Sequence, residues 1–221
     1  GLPNTSGTFP AQFSELGLYA RIGSTVTGKT APGIHALNVL ASNWMEQLPT
    51  ETQRALQQLA ATGRIASATG QIWLDSEQRS LKIQTPRSEV LTGKGDQAGA
   101  VMRLSKVDRF QTLALLSLTG DELPRSPRLL LLHLPNLAAT GQRHTQGARL
   151  SLEKWGQLPL LLERAKVEVG LRLPTPRRVE RLRLDGSPAG MAPAQFQEGM
   201  LTFTADTAAL PGGVMVYLIT P

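Results

Sequence analysis

The chain has 221 residues and a mass of 23.8 kDa, with 41% apolar and 18% charged side chains, a composition that supports a sizeable buried core and excludes a disordered or fibrous chain. Lys and Arg exceed Asp and Glu by 23 to 17, yet residues 1–64 hold four basic and three acidic groups, residues 65–150 eleven and seven, and residues 151–221 eight and seven, so the excess is spread along the chain and no nucleic-acid partner is expected. There is no cysteine, which removes disulfides, thiolate catalysis and Cys-containing zinc sites, and no apolar run approaches the ~20 residues that a membrane-crossing helix needs.

Residues 1–16 are rich in Gly, Pro, Ser and Thr, with Phe9, Phe13 and Leu16 as anchors of an irregular arm. Leu18–Ile22 is a predicted strand, and residues 23–37 are loop. A short helical stretch near Leu37–Met45 precedes the clearest helix, which follows Pro49. There Thr50 and Gln53 have the spacing of a capping box, Leu56 and Leu59 supply one apolar stripe, and Gly63 is a natural left-handed stop.

From Ile65 the period of the pattern changes to two. Gln71–Asp75 and Leu81–Thr85 flank the polar turn Ser76–Ser80 as a hairpin. Ser88–Thr92, Val101–Lys106, Gln111–Leu118, Arg128–Leu134, Pro159–Glu163, Lys166–Leu173, Val179–Asp185, Met200–Phe203 and Val214–Ile219 follow as strands. Turn signals recur between them at Asp185-Gly186, Glu198-Gly199 and Pro211-Gly212-Gly213. The expected class is mostly β: an antiparallel, jelly-roll-like β-sandwich over 65–221, carrying a short helical N-terminal extension over 1–64 that packs on it.

Several patterns bear on chemistry. Gly23–Thr30 reads G-x-x-x-x-G-K-T, so Gly28, Lys29 and Thr30 are phosphate-binding candidates. Such a loop needs a helix starting at the Gly-Lys-Thr step, whereas Pro32 and Gly33 fall in what would be its first turn; a chance match in a Gly/Thr-rich loop is the competing account. Gly93–Gly99 is only a loose dinucleotide fingerprint between two β segments. His35, His133 and His144 form no helical pair and no H-E-x-x-H, so neither a metal site nor a cofactor is expected. Asp75 with Glu77, and Asp121 with Glu122, are the nearest carboxylate pairs, but they sit in turns rather than facing each other across a cleft. Trp44, Trp73 and Trp155 are carbohydrate-binding candidates through their indole faces, with core filling as the alternative for each.

Ser67-Ala68-Thr69-Gly70-Gln71-Ile72-Trp73 followed by Ile83-Gln84-Thr85-Pro86-Arg87-Ser88 resembles the S-x-T-G … T-P-R-S hairpin of the C-terminal β-sandwich domain of large bacterial glycoside hydrolases. Leu113–Gly120 is similar to that family's A-x-x-S-L-D-G strand, with Thr119 in place of Asp, and Ser126–Leu132 to its S-x-x-[IL]-L-L strand. Asn136 with Thr140-Gly141 resembles its N-T-G, interrupted here by Leu137-Ala138-Ala139, and Trp155–Glu163 its W-G-x-x-P-x-L-[LV]-E. The resemblance spans about residues 65–219 and implies a non-catalytic module that packs on a catalytic (β/α)8 barrel or binds carbohydrate, in a secreted or periplasmic protein. It places no catalytic acid in this chain. The alternatives are a small glycoside-processing enzyme using Asp75 or Glu77, and a nucleotide-binding protein using Gly23–Thr30.

Overall fold

The computed structural model describes residues 14–19, 43–145 and 151–221. The predicted arm up to Phe13, the loop 23–37, residues 20–22 of the first predicted strand and residues 37–42 of the short helix lie outside these. The chain divides into two compact units between Glu77 and Gln78.

In the first unit, 3-10 turns at Ser14–Leu18 and Trp44–Gln47 accompany helix α1 (Thr50–Thr62) and the strands β1 (Arg64–Ala66) and β2 (Ile72–Asp75). Leu18 therefore closes a 3-10 turn instead of opening a strand, and the Tyr19 N–H donates to the Leu16 carbonyl at 2.9 Å. Helix α1 buries Thr52, Ala55, Leu56 and Leu59 and ends at Gly63, whose φ of 67° lets its N–H reach the Leu59 carbonyl. Its start departs from the expected capping box. Pro49 holds the cap position with no side-chain cap bond, and Gln53 Nε2 donates to the Leu48 carbonyl at 2.8 Å. A capping hydroxyl must come from a residue still outside the helical conformation, and Thr50 is already inside it. Leu16, Trp44, Ala55, Leu56, Leu59 and Ile65 form one apolar cluster with Leu74 packed on it, which is what keeps the β1–β2 hairpin with the helix.

The second unit holds β3 (Ser80–Gln84), β4 (Ser88–Gly93), β5 (Gln97–Ala98), β6 (Met102–Ser105), β7 (Gln111–Ser117), β8 (Leu129–Leu134), β9 (Leu137–Thr140), β10 (Arg143–His144), β11 (Leu152–Lys154), β12 (Gln157–Leu162), β13 (Lys166–Arg172), β14 (Arg178–Leu182), β15 (Pro188–Ala192), β16 (Ala194–Gln197), β17 (Met200–Asp206) and β18 (Val216–Thr220). One antiparallel sheet runs β3–β4–β7–β8–β18–β14–β15. A second, five-stranded, runs β16–β17–β13–β6–β5. Their facing sides share one core: Leu91, Leu113, Leu115, Leu129, Leu131, Tyr217 and Ile219 from the first, Met102, Leu104, Val167, Val169, Leu171, Leu201 and Phe203 from the second. The fold is an antiparallel β-sandwich with a short helical N-terminal element, as the alternating pattern predicts.

β7 and β8 read as nearly continuous apolar runs because the other face of that sheet is apolar too. Val90, Ala114, Leu132 and Val216 stand in one row across β4, β7, β8 and β18, the arrangement of a sheet with apolar contacts on both sides. Strands β9 to β11, β15 and β16 fall largely in segments whose sequence reads as loop, while β12 overlaps the predicted strand Pro159–Glu163. β9 pairs with β12 and β10 with β11, and these pairs form two-stranded ribbons outside both sheets.

One buried charge ties the sheets together. Glu89 faces inward on β4 and is 1% exposed. Its carboxylate accepts the backbone N–H groups of Ala100 (2.5 Å), Val101 (3.1 Å) and Met102 (2.5 Å), which lead into β6, and the Gln84 side-chain amide at 2.9 Å. Gly99 leaves room for it: a Cβ there would lie 2.1 Å from Glu89 Oε1. Removing the acceptor strands these donors, each costing on the order of 1–3 kcal/mol where water cannot replace it. Glu89→Ala is therefore expected to destabilise the fold by about 3 kcal/mol in urea denaturation. Gly99→Ala should also destabilise it, by forcing the carboxylate off its amides; an unchanged midpoint in both variants would remove this clasp.

Candidate functional site

The polar residues of the family-like motifs turn out to serve the backbone. Ser67 Oγ accepts the N–H groups of Gln71 and Ile72 and pairs with Thr69 Oγ1, and Gly70 at φ 65° completes the turn between β1 and β2. In Thr85-Pro86-Arg87-Ser88, Thr85 Oγ1 accepts the N–H of Arg87 at 3.3 Å and of Ser88 at 2.9 Å, which reverses the chain from β3 into β4. Ser117, Thr119 and the fully buried Ser126 join hydroxyls, and Ser126 donates to the Arg128 carbonyl at 2.8 Å. These groups spend their hydrogen bonds on turns and have none directed at a cleft.

The predicted carboxylates are similarly placed. Asp75 Oδ2 takes the Arg64 Nε at 2.7 Å, across the β1–β2 register. Asp121 Oδ2 accepts from Thr119 Oγ1 at 2.8 Å, while the Glu122 carbonyl closes a turn with the N–H groups of Arg125 and Ser126. Glu77 is exposed and sits against Gly63. Among the described residues no group of three His, Asp or Glu is placed to hold a metal ion. Gly28, Lys29, Thr30 and His35 lie outside those residues. The Gly93–Gly99 segment carries the β4 end and β5, without a helix following.

His133 is completely buried on the inward face of β8. Its Nε2 meets the side-chain oxygen of the equally buried Gln111 at 2.5 Å, and Nδ1 has no partner. Gln111 Nε2 reaches Asp108 Oδ1 at 3.5 Å, and that oxygen also accepts the Lys166 N–H. Burial lowers the imidazole pKa from 6.5 to about 4, partly opposed by the charges of Asp108 and Asp206. The ring is enclosed by strands and works as a neutral core residue.

The tryptophans separate sharply. Trp44 is 7% exposed within the first unit's apolar cluster, so its indole fills space. Trp73 is half-buried on β2, opposite Ala66. Trp155 is 82% exposed. It lies on the β11–β12 connection, beside a ribbon that exposes Leu137, Leu158, Leu160 and Leu161 at 48%, 78%, 53% and 53%. Gly156, at φ 77°, makes this arrangement possible, since a Cβ there would lie 2.8 Å from the Thr140 carbonyl and the Gln142 nitrogen. Thr140 Oγ1 donates to the Pro159 carbonyl at 2.7 Å, and the Glu163 N–H to the Asn136 carbonyl at 3.0 Å, which fastens the ribbon at both ends. Sequence reasoning singled out Trp155 as a surface candidate but placed Leu160 and Leu161 only in a predicted strand and a structural motif, with no signal that their side chains stand open.

Compared with protein-family models, with curated proteins and with solved structures, the chain matches none. No helix of the described residues is long and apolar enough to cross a membrane.

Because His133 stays neutral when folded, the unfolded chain takes up a proton first as pH falls below 6.5. Stability from this group is complete above pH 6.5 and is lost as pH drops towards 4, by about 3 kcal/mol at ~1.4 kcal/mol per pH unit. Denaturation at several pH values should show this slope, and His133→Gln should flatten it.

Proposed function

We propose that the chain is a non-catalytic β-sandwich module that docks on the catalytic (β/α)8 barrel of a glycoside hydrolase through its apolar ribbon. The observation that carries the reading is the exposure of Leu137, Leu158, Leu160, Leu161 and Trp155 on one fastened element. An isolated two-stranded ribbon is marginal in water, and clustered exposed aliphatics mark an interaction site. Covering four leucines and an indole is worth roughly 25 cal/mol for each Å² of apolar surface removed from water. The resemblance over residues 65–219 supplies the kind of partner, and the use of its polar motif residues in turns supports a structural role over bond-breaking.

A second reading rests on Trp155 alone: an open indole face can stack on a sugar ring. The aliphatic surroundings favour protein docking, because a sugar's hydroxyls find few polar partners among leucines. Secretion or periplasmic residence belongs to the same proposal and rests on the resemblance alone.

A photo-crosslinking residue at position 160, introduced in the source cell, is expected to capture a barrel-type glycoside hydrolase. Leu158→Asp with Leu160→Asp should weaken that association at least tenfold and leave the denaturation midpoint within about 0.5 kcal/mol of the parent, as surface changes do. Crosslinks only to a second copy of the chain, or to none, would defeat the docking reading. Loss of glycan retention on Trp155→Ala, with barrel association intact, would favour the sugar reading.

A further inference from the structure

The outward face of the five-stranded sheet carries a shallow concavity of about 670 Å³ on the side away from the core. Its arrangement follows from strand register. Arg103 on β6, Gly170 on β13, Thr202 on β17 and Gln195 on β16 are successive neighbours in one row. The adjacent row is Ser105, Glu168 and Thr204. Their chain neighbours Leu104, Val169, Leu171, Leu201 and Phe203 point into the core, so alternation turns these polar groups outward. The first row crosses three inter-strand gaps, about 14 Å at ~4.8 Å each.

Gly170 makes the trough. Any larger residue at this position in a central strand would fill the space between Arg103 and Thr202; the buried Gly170 is covered by Met200, its sulfur 3.2 Å from where a Cβ would stand, with Arg103 Cβ at 3.9 Å. A thioether on three rotatable bonds moves aside readily. The charges beside the trough are unequal. Glu168 is already engaged, by Lys106 Nζ at 2.5 Å and Ser105 Oγ at 3.5 Å. Among the described residues the exposed Arg103 guanidinium has no hydrogen bond or ion pair. The trough therefore presents one uncompensated guanidinium fork next to hydroxyl and amide groups, and no exposed aromatic ring lines it.

We propose that this trough binds an anionic carbohydrate, with a sugar carboxylate or sulfate on Arg103 and sugar hydroxyls on Thr202, Thr204 and Gln195. A guanidinium fork matches a planar carboxylate with two parallel hydrogen bonds. Neutral sugars and single-stranded nucleic acids depend on aromatic stacking, which this face lacks. The proposal rests on the reading of the chain as a carbohydrate-associated module, but it uses none of the ribbon residues.

The test is retention of the full chain in affinity gels containing polygalacturonate, dextran sulfate, neutral dextran or single-stranded DNA. Retention by polygalacturonate or dextran sulfate is expected, and which of the two is stronger identifies the acidic group. Arg103→Ala should weaken it at least tenfold and Arg103→Lys by less. Added salt should weaken it, while Trp155→Ala should leave it unchanged. Absence of retention by both polyanions, equal retention of Arg103→Ala, or stronger retention by DNA or neutral dextran would overturn the proposal. Loss on Trp155→Ala but not on Arg103→Ala would place the sugar on the ribbon, ending the trough proposal while sustaining the carbohydrate reading.

Discussion

The apolar layer between the two sheets of the second unit is the contact on which the remaining structure depends. Leu115, Leu131 and Tyr217 stand in one row on the first sheet, and Val169 meets Leu104 and Phe203 on the second. Each fully buried leucine or valine contributes about 1.5–3 kcal/mol. This burial fixes register, because a slip of one residue would turn every core side chain to the other face. Register in turn decides what each sheet offers outside: the polar row of Arg103, Thr202 and Gln195 exists because Leu104, Leu201 and Phe196 are required within.

Polar groups admitted to this interior are few and have specific positions. Glu89 collects three backbone N–H groups at the entrance to β6, so its charge is balanced by oriented dipoles in place of a cation. His133 Nε2 pairs with Gln111 at the end of the core while its Nδ1 has no partner, and Tyr217 accepts the Asp206 N–H at 3.0 Å, with burial raising its phenol pKa. Their partners lie on loops and neighbouring strands, so the core fixes the loops as well as the sheets. The same economy explains the motif serines and threonines, whose hydroxyls take up backbone groups that turns leave unpaired.

Much of the architecture was legible in the chain. The long strands β4, β7, β8, β13, β14, β17 and β18 alternate or run apolar in a way that specifies extended structure, and Gly63 marks the helix end because only a residue without a side chain adopts its conformation cheaply. Of the ribbon strands only β12 was legible, through the predicted strand Pro159–Glu163, and its exposure was not. Gln157–Leu162 is exposed at nearly every position, so burial imposed no two-residue period on it. The capping box failed for a local reason, since its spacing was right but the helix began one residue earlier than the box requires. Strand Ser88–Thr92 carries no local signal that Glu89 faces inward, because the amides that receive its carboxylate belong to Ala100, Val101 and Met102 at the entrance to β6.

The amino-acid sequence by itself determined a β-rich chain, one helix with its stop, and turns built from Ser, Thr and Gly, because these follow from neighbours within a few residues. Tertiary structure decided which tryptophan fills a core and which stands open, which acid is buried, and which cation stands beside the trough of the five-stranded sheet. Those properties depend on strands far apart in sequence meeting in one register, and no local pattern encodes which partners will face one another across the sheets.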